Sequence, residues 1–584
     1  MSAGSRDERA GRRVKSKKTG AARWLGRNLL ACLLLLLLAS CSLPGPTATP
    51  TAVPTAPPPS ASPAPTVDPR QGGRLTVRLS HDWEHLTPLL PTADPEAGWV
   101  VGMLYSGLTR LDDHLLPRPD LAESWAVSPD GLTITFTLHP DLRWSDGVPL
   151  TADDVLFTYD SLRTWDVRSG VQADLRDYVA AVAAPAPETV TFVLNRRLAG
   201  VLVLASFPIL PRHTWGHLAA TTVQEVDLLR NPVSSGPFAV RERRPGEALV
   251  LVPNPYFHGP APFLAEVAFL VAPDPQVAEA ALRQGDLSVA LLPRACCDSL
   301  EQSPPHYPVR VASYPAPQYT LVALNLHEGS PLADPLLRQA WALALDKEAI
   351  VAEATAGAGV PLWSPILPPS WAYADLPHSA PDLDGARQLL AEAGWKDGDG
   401  DGVVEKDGRP LTVRLFVRAD APERITATLR MSETLGQIGM AVQVIPADFQ
   451  SVIAAKLRPP YDFDALCMQW RNLGPDPDQF YLFHSSQAWQ GPADSRENLY
   501  NFVGYRSSAA DDLLLAGRDT YDPEQRRAIY VGLQRLLAQD RPYYLLWTDP
   551  IYLAADARLV TPEGPLNLET PNFLWNVEKW YWGR

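Results

Sequence analysis

The sequence predicts an α/β fold with a smaller α+β subdomain at roughly residues 116–230. Three observations carry this reading. From Gly72 onward, strand-like and helix-like segments alternate; several segments repeat apolar residues with a period of two; others open on a capping residue and continue at helical spacing. The chain has 584 residues, 46% hydrophobic and 20% charged, which is room for about four domain-sized units and the composition of a globular protein.

The elements follow in chain order. Leu132, Ile134, Phe136 and Leu138 alternate with Thr133, Thr135 and Thr137, the pattern of a sheet with one wet face, and Val190, Phe192 and Leu194 repeat it. Between them Thr151 and Asp154 form a capping box before Val155, Leu156, Tyr159 and Leu162. Further on, Asp334-Pro335 and Asp522-Pro523 each offer an N-cap followed by proline at the first helical position. Leu336, Ala340, Leu343 and Ala344 are the expected inner face of the first of these helices, and Ile529, Leu533, Leu536 and Leu537 that of the second. Residues 386–393 read as a helix stopped by Gly394. No fixed-period repeat points to a solenoid.

Charge is divided unevenly. The formal net charge is −15, yet residues 1–40 carry a net of +7, which leaves −22 for the remainder. An acidic chain of this kind excludes nucleic acid as a partner, because phosphate neutralisation needs clustered Lys and Arg. The apolar run at residues 29–39 is short for a membrane span but suits the core of a signal peptide. It ends in Leu38-Ala39-Ser40-Cys41, which resembles the bacterial lipobox, so residues 1–40 are expected to be a lipoprotein signal peptide and Cys41 the lipidated N-terminus. Arg12-Arg13 adds a twin-arginine pattern in a region already basic. Residues 42–70 hold ten of the 59 prolines among Thr, Ala and Ser, so residues 41–70 are expected to be an extended tether. The other prolines belong to the folded part. Besides Cys41, only Cys296, Cys297 and Cys467 would remain after processing; they show no metal-type spacing, and whether either neighbour pairs with Cys467 stays open.

Residues 119–162, PDLAESWAVSPDGLTITFTLHPDLRWSDGVPLTADDVLFTYDSL, resemble the signature of the bacterial extracellular solute-binding proteins of family 5, the peptide, nickel and oligosaccharide receptors of ABC importers. Matches continue in family order: GGRLTV at Gly72, LYSGL at Leu104, NPVSSGPFAV at Asn231, NPYFHG at Asn254, ALRQGDLSVA at Ala281, DPLLRQAWALALDKEAI at Asp334, ARQLLAEAGWKDGDGDGV at Ala386, LGQIGM at Leu435, PDPD at Pro475 and DPEQRRAIYVGLQRLLAQDRPYYLLW at Asp522. The resemblance implies a two-lobed periplasmic-binding-protein-like fold (type II, cluster C) with the extra α+β subdomain inserted in lobe I. Lobe I would comprise 71–115, 231–310 and 546–584, the subdomain 116–230 and lobe II 311–545. It implies ligand capture by cleft closure and delivery to ABC permease subunits, with membrane attachment through the lipid and no cofactor.

The resemblance also implies site positions. The family's peptide binders place an acid shortly after a strand-end Trp and before a D-P-D turn to pair the ligand's α-amino group. Here the segment is Trp470, Arg471, Asn472, Leu473, Gly474 and Pro475, followed by Asp476-Pro477-Asp478; the amine position is Leu473, which bears no charge. The position corresponding to the dipeptide binders' carboxylate-pairing arginine is Arg418, whose guanidinium suits a bidentate carboxylate. Trp83, Trp363, Trp371 and Trp470 fall in cleft-bordering segments by the same resemblance, with Tyr105 and Ser106 as pocket lining, whereas Trp125, Trp144, Trp341 and Trp395 are expected in the core. Asp397, Asp399 and Asp401 followed by Gly402 match the first half of a calcium loop, but the twelfth position is Gly408 where a bidentate Glu belongs, so an acidic hairpin is the preferred reading.

The expected ligand is a peptide or related solute; an oligosaccharide receptor and a sensory receptor of the same fold are the alternatives. A cell-surface hydrolase would need a nucleophile and base or two opposed carboxylates, and the chain contains neither G-x-S-x-G nor H-E-x-x-H, so no enzymatic activity is expected.

Overall fold

The computed structural model describes residues 68–583 apart from 84, 88–93, 165–169, 218–226, 231, 472, 492–493, 495 and 497–498, and the backbone only at 170–173. The expected signal peptide, Cys41, nearly all of the tether and Asn472 lie outside the described residues.

Two large sheets organise the chain. The first has seven strands in the spatial order Val309–Pro315, Pro550–Asp556, Val289–Leu291, Arg74–Leu79, Glu266–Val271, Ala248–Pro253 and Phe238–Arg244. Arg74–Leu79 lies parallel to both its neighbours and is buried from Leu75 onward, as a strand covered on both faces must be. Leu75, Val77, Phe269 and Val289 join one core; Ala290 and Ala554 join another, beneath helices Pro275–Gln284 and Arg294–Gln302.

The second sheet has six strands: Val360–Pro361, Tyr543–Thr548, Gln318–Leu324, Ala465–Arg471, Thr412–Arg418 and Ala441–Ala447. Strand alternation splits its side chains between two cores. Val322, Leu324, Val413, Leu415 and Val417 pack with helices Pro335–Ala344, Leu383–Glu392 and Pro422–Gly436. Tyr319, Leu321, Ala323 and Phe416 point the other way, toward helices Ser508–Asp519 and Pro523–Asp540.

A four-stranded antiparallel sheet, Ala122–Val127, Thr133–Leu138, Thr189–Leu194 and Val179–Ala186, packs against helix Ala152–Thr164. Its inner face carries the alternating residues read from the sequence, with Phe136, Phe192 and Tyr159 in edge-to-face contact at 5.5 and 4.9 Å. The capping box closes reciprocally: the Asp153 amide donates to Thr151 Oγ1 at 3.3 Å, and the Thr151 amide to Asp154 Oδ2 at 3.0 Å.

The chain passes twice between the large sheets. Pro315 pairs with Pro550 in the first sheet, whereas Gln318 and Thr548 belong to the second. The passages therefore fall at 316–317 and at 549, beside expected boundaries at 311 and 546. The two segments bond each other, the Ala316 amide donating to Asp549 O at 2.8 Å and Thr548 Oγ1 to Ala316 O at 3.3 Å.

Two helix faces differ from expectation. Helix Pro335–Ala344 buries Leu337, Arg338, Ala340, Trp341 and Ala344, leaving Leu336 and Leu343 at the margin. Helix Pro523–Asp540 buries Arg526, Tyr530, Leu533, Gln534 and Leu537, with Ile529 and Leu536 half-buried. The shift arises because long polar side chains occupy inner positions to serve buried carbonyls: Arg338 donates to Leu332 O, Ala333 O and Asp540 O at 2.7–2.9 Å. Trp144 and Trp341 are fully buried, as expected, while Trp125 and Trp395 are half-buried. All three cysteines are buried and unpaired, which settles the open question of pairing with Cys467. Burial pushes the Cys297 and Cys467 thiols up to about 12, so they are inert packing groups. Among the described residues, no helix is long and apolar enough to cross a membrane.

Candidate functional site

The sequence positions singled out around Trp470 converge on the place where the chain passes between the sheets. Antiparallel register sets Gln318 opposite Arg471, Tyr319 opposite Trp470 and Thr320 opposite Gln469. Residues two apart share a face, so Gln469 and Arg471 lie on one side of the sheet and Trp470 on the other.

The polar side forms a hydrogen-bonded set. Gln318 Nε2 donates to Asp549 Oδ2 at 2.9 Å, and Gln469 Nε2 reaches the same oxygen at 3.4 Å. Gln469 Oε1 in turn accepts from Arg471 Nε at 2.7 Å and from Arg424 Nη2 at 3.4 Å. Asp549 belongs to one passage segment and Gln318 flanks the other, so this set ties the strand ends to the crossing itself. The apolar side is an aromatic panel: Trp470 lies 6.0 Å from Tyr500 and 6.2 Å from Phe502, and Tyr500 lies 6.3 Å from Tyr481. Tyr500 is 56% exposed. Leu473 is half-buried and contributes backbone, its amide donating to Pro317 O at 3.0 Å.

Arg418 ends a strand parallel to Ala465–Arg471 and so emerges at the same edge. Its guanidinium is already engaged, with Nε and Nη2 on Asp420 at 2.8 and 2.5 Å and the charge 5.4 Å from the Phe449 ring centre. The hydrogen bonds from Arg418 hold the Asp420 carboxyl below its ordinary range. A ligand carboxylate at Arg418 would have to displace Asp420.

The other expected site residues lie apart from this edge. Trp83 is half-buried in the seven-stranded unit, with Nε1 donating to Asp94 at 2.7 Å. Tyr105 and Ser106 are buried in the core; the Tyr105 hydroxyl has no hydrogen-bond partner among the described residues, and the Ser106 amide donates to Ser235 Oγ. Trp363 stacks on His378 at 4.0 Å beside a cavity at the opposite end of strand Tyr543–Thr548. The acidic loop gathers Asp397, Asp399 and Glu405 with their oxygens within 4.8 Å, whereas Asp401 accepts from the Val403 amide. Asp397 itself accepts from the Gly400 and Gly402 amides, so the loop forms a self-closed hairpin continuing into strands Glu405–Lys406 and Arg409–Pro410.

The Asp476-Pro477-Asp478 turn has a role beyond marking the count. Asp476 takes Arg526 through two bonds at 2.8 and 2.9 Å, and Asp478 takes Arg518 Nε at 2.7 Å. Arg518 then reaches the Tyr178 hydroxyl of the four-stranded unit, while Tyr481 donates to Asp177 at 3.3 Å and Tyr521 to Gly131 O at 2.9 Å. These contacts join the inserted subdomain to the six-stranded unit. Gln318, Tyr500 and Asp549 are additions that motif reading missed: each stands in a turn or at a strand end, where no periodicity marks it.

This architecture matches known proteins. The family model for the bacterial extracellular solute-binding proteins, family 5 Middle, matches residues 117–492. The oligopeptide-binding protein AppA of Bacillus subtilis (strain 168) is 30% identical over 525 residues, covering 88% of this chain and 92% of AppA. Protein XP55 of Streptomyces lividans is 31% identical over 456 residues, covering 78% and 80% of the respective chains. The structure of AppA from Bacillus subtilis in complex with a nonapeptide superposes with a TM-score of 0.59 at 30% identity, covering 88% of this chain and all of that one. The fold is also that of the murein tripeptide binding protein MppA in its unliganded open form, with a TM-score of 0.71 at 18% identity, covering 87% of this chain and 97% of that one. The chain is a two-lobed substrate-binding protein and belongs to the bacterial extracellular solute-binding proteins of family 5.

Proposed function

We propose that this protein is the lipid-anchored receptor of an ABC importer, that its ligand is a peptide captured between the lobes, and that it catalyses no reaction. Lobe I is assigned to the seven-stranded sheet and lobe II to the six-stranded sheet, with the inserted subdomain at 116–230 and closure about the passages at 316–317 and 549, a few residues beyond the expected bounds of 311 and 546. The observation that carries the reading is the strand-end set at that crossing. Gln318, Gln469, Arg471 and Asp549 offer amide, guanidinium and carboxylate groups suited to a peptide backbone, and the other face of the same strand end carries an aromatic panel from which Tyr500 is exposed, suited to its side chains. An uncharged Leu473 favours recognition along the backbone over pairing of the α-amino group, since an ammonium buried there would lack a counter-charge. Cys41, through its lipid, would hold the receptor on the outer face of the cytoplasmic membrane.

Calorimetry and thermal unfolding with a nonapeptide and its Nα-acetylated form test this. Both should bind, with affinities within about twofold, and each at 100 times its Kd should stabilise the protein by about 2.7 kcal/mol. Failure of both forms to bind refutes a peptide ligand; binding of the free-amine form alone refutes the backbone mode. Cys41→Ala should move the protein from the membrane fraction to the soluble one.

A further inference from the structure

A cavity of about 460 Å³ lies in the six-stranded unit away from the crossing. Tyr544, on its wall, stands four residues from Thr548, so the cavity is about 13 Å along the strand from the passage segments. Its lining is mixed: Leu345, Leu376, Phe483 and Leu537 supply apolar surface, and Lys347, Arg541, Asp346, Glu348 and His378 supply charged and titratable groups.

Neither cation has an anionic partner within ion-pair distance among the described residues. Lys347 Nζ donates to Leu362 O at 2.6 Å and lies 4.9 and 4.7 Å from the ring centres of Trp363 and Tyr544. Arg541 Nη1 donates to Gln539 O at 2.9 Å. The nearby acids are otherwise engaged: Asp346 caps the Ala349 amide, Glu348 pairs with His378 at 3.5 Å, and Asp540 accepts from the Tyr505 hydroxyl. Two cations on the wall of one cavity, neither within ion-pair distance of the acids that also line it, form a site whose charge a ligand can complete.

We propose that this cavity is a second ligand site, distinct from the interlobe seam, and that it takes a small apolar carboxylate whose charged end meets Lys347 and Arg541. Leu345, Leu376, Phe483 and Leu537 would cover the ligand's body, and the size suits a molecule of one ring or a short alkyl chain. Burial, with Arg541 adding to it, pushes the Lys347 ammonium down to about 7. A bound carboxylate favours its protonated form, so binding takes up a proton and weakens as pH rises through that range. The charged and titratable groups lining the cavity around Lys347 are Asp346 and Glu348, its neighbours in sequence, His378 from the facing loop, and Arg541, Tyr543 and Tyr544 from the strand side.

The test is calorimetry of the mature chain with benzoate and hexanoate, using benzamide as the uncharged control, at pH 6 and pH 8.5. At least one acid should bind, benzamide at least tenfold more weakly than benzoate if benzoate is that acid, and the heat at pH 6–7 should vary with the buffer's ionisation enthalpy. Lys347→Met should weaken the acid at least tenfold, and Lys347→Arg should keep binding at pH 8.5 while losing the proton uptake. An unchanged unfolding midpoint and nonapeptide titration certify that the variants are folded, and the acid should bind equally in the presence of saturating nonapeptide. Absence of binding by both acids, equal binding of benzamide, an unaffected Lys347→Met variant, or competition with nonapeptide would each overturn the proposal.

Discussion

Asp174 shows what a single carboxyl can do when a distant part of the chain encloses it. It stands near Arg518, Asp476 and Asp177, and burial, with the two acids adding to it and Arg518 opposing, raises its pKa to about 6 from an ordinary 3.8. The folded chain then keeps a proton that the unfolded chain sheds near pH 4. The stability this group confers is complete below pH 4, falls as pH rises to about 6, and stays constant beyond. Asp174→Asn, which cannot ionise, should unfold like the wild type at pH 4 and be more stable above pH 6, by up to about 3 kcal/mol. Thermal unfolding from pH 4 to 8 measures this, and a difference independent of pH would place the carboxyl in solvent. None of it is legible in the sequence, because residues some 300 positions away make the environment. Arg418 is the opposite case: its place at a strand end was readable from motif spacing, but the Asp420 that occupies its guanidinium, two residues on, changes what it can bind. Lys347 reads as a routine helix-start lysine and becomes a candidate ligand group only because Trp363 and Tyr544 enclose it.

Helices are where sequence and structure agree most closely at their starts and least along their faces. Asp94-Pro95, Asp274-Pro275, Asp334-Pro335 and Asp522-Pro523 all open helices with the aspartate accepting from a first-turn amide, which gives part of the proline excess of the folded chain a structural use. A cap is local, so three or four residues suffice to read it. Asp334→Ala removes the bond from the Leu336 amide at 2.9 Å and should cost about 1 kcal/mol of stability in urea unfolding, with the denaturant slope unchanged. A larger loss would mean that Asp334 also supports the preceding turn. The inner faces were read less well for a physical reason: the pattern of aliphatic residues assumes that polar side chains face water. Arg338, Arg526 and Gln534 are buried because each serves a buried polar group, and Gln534 alone bonds Ser364, the Ala374 amide and Ala372 O.

Among the described residues, the parts that would move are connected by the two passage segments, by a lateral contact of the inserted subdomain, and by single hydrogen bonds from the Trp371 amide to His114 O at 3.0 Å and from Arg294 Nη1 to Gly357 O at 2.8 Å. The passages hold each other through Ala316, Thr548 and Asp549, whereas the inserted subdomain meets the six-stranded unit around Arg518. The contact around Arg518 is made through hydrogen bonds and a guanidinium resting on the Tyr178 ring, so it can bias closure. An open and a closed state of such a receptor differ by only a few kcal/mol, and a contact made in one of them alone acts directly on ligand affinity. Tyr178→Phe deletes the hydroxyl facing Arg518 while keeping the ring on which the guanidinium rests, 4.9 Å from its centre. The lost hydrogen bond is worth about 1 kcal/mol, equivalent to about a fivefold change in an equilibrium constant. If the contact forms only on closure, nonapeptide affinity should fall by about that factor, with little change in the unfolding midpoint of the free protein. Calorimetry and thermal unfolding of the same variant separate the two outcomes: a lowered midpoint with unchanged affinity would mean that the subdomain touches the second lobe in both states, and that closure turns on the passages at 316–317 and 549 alone.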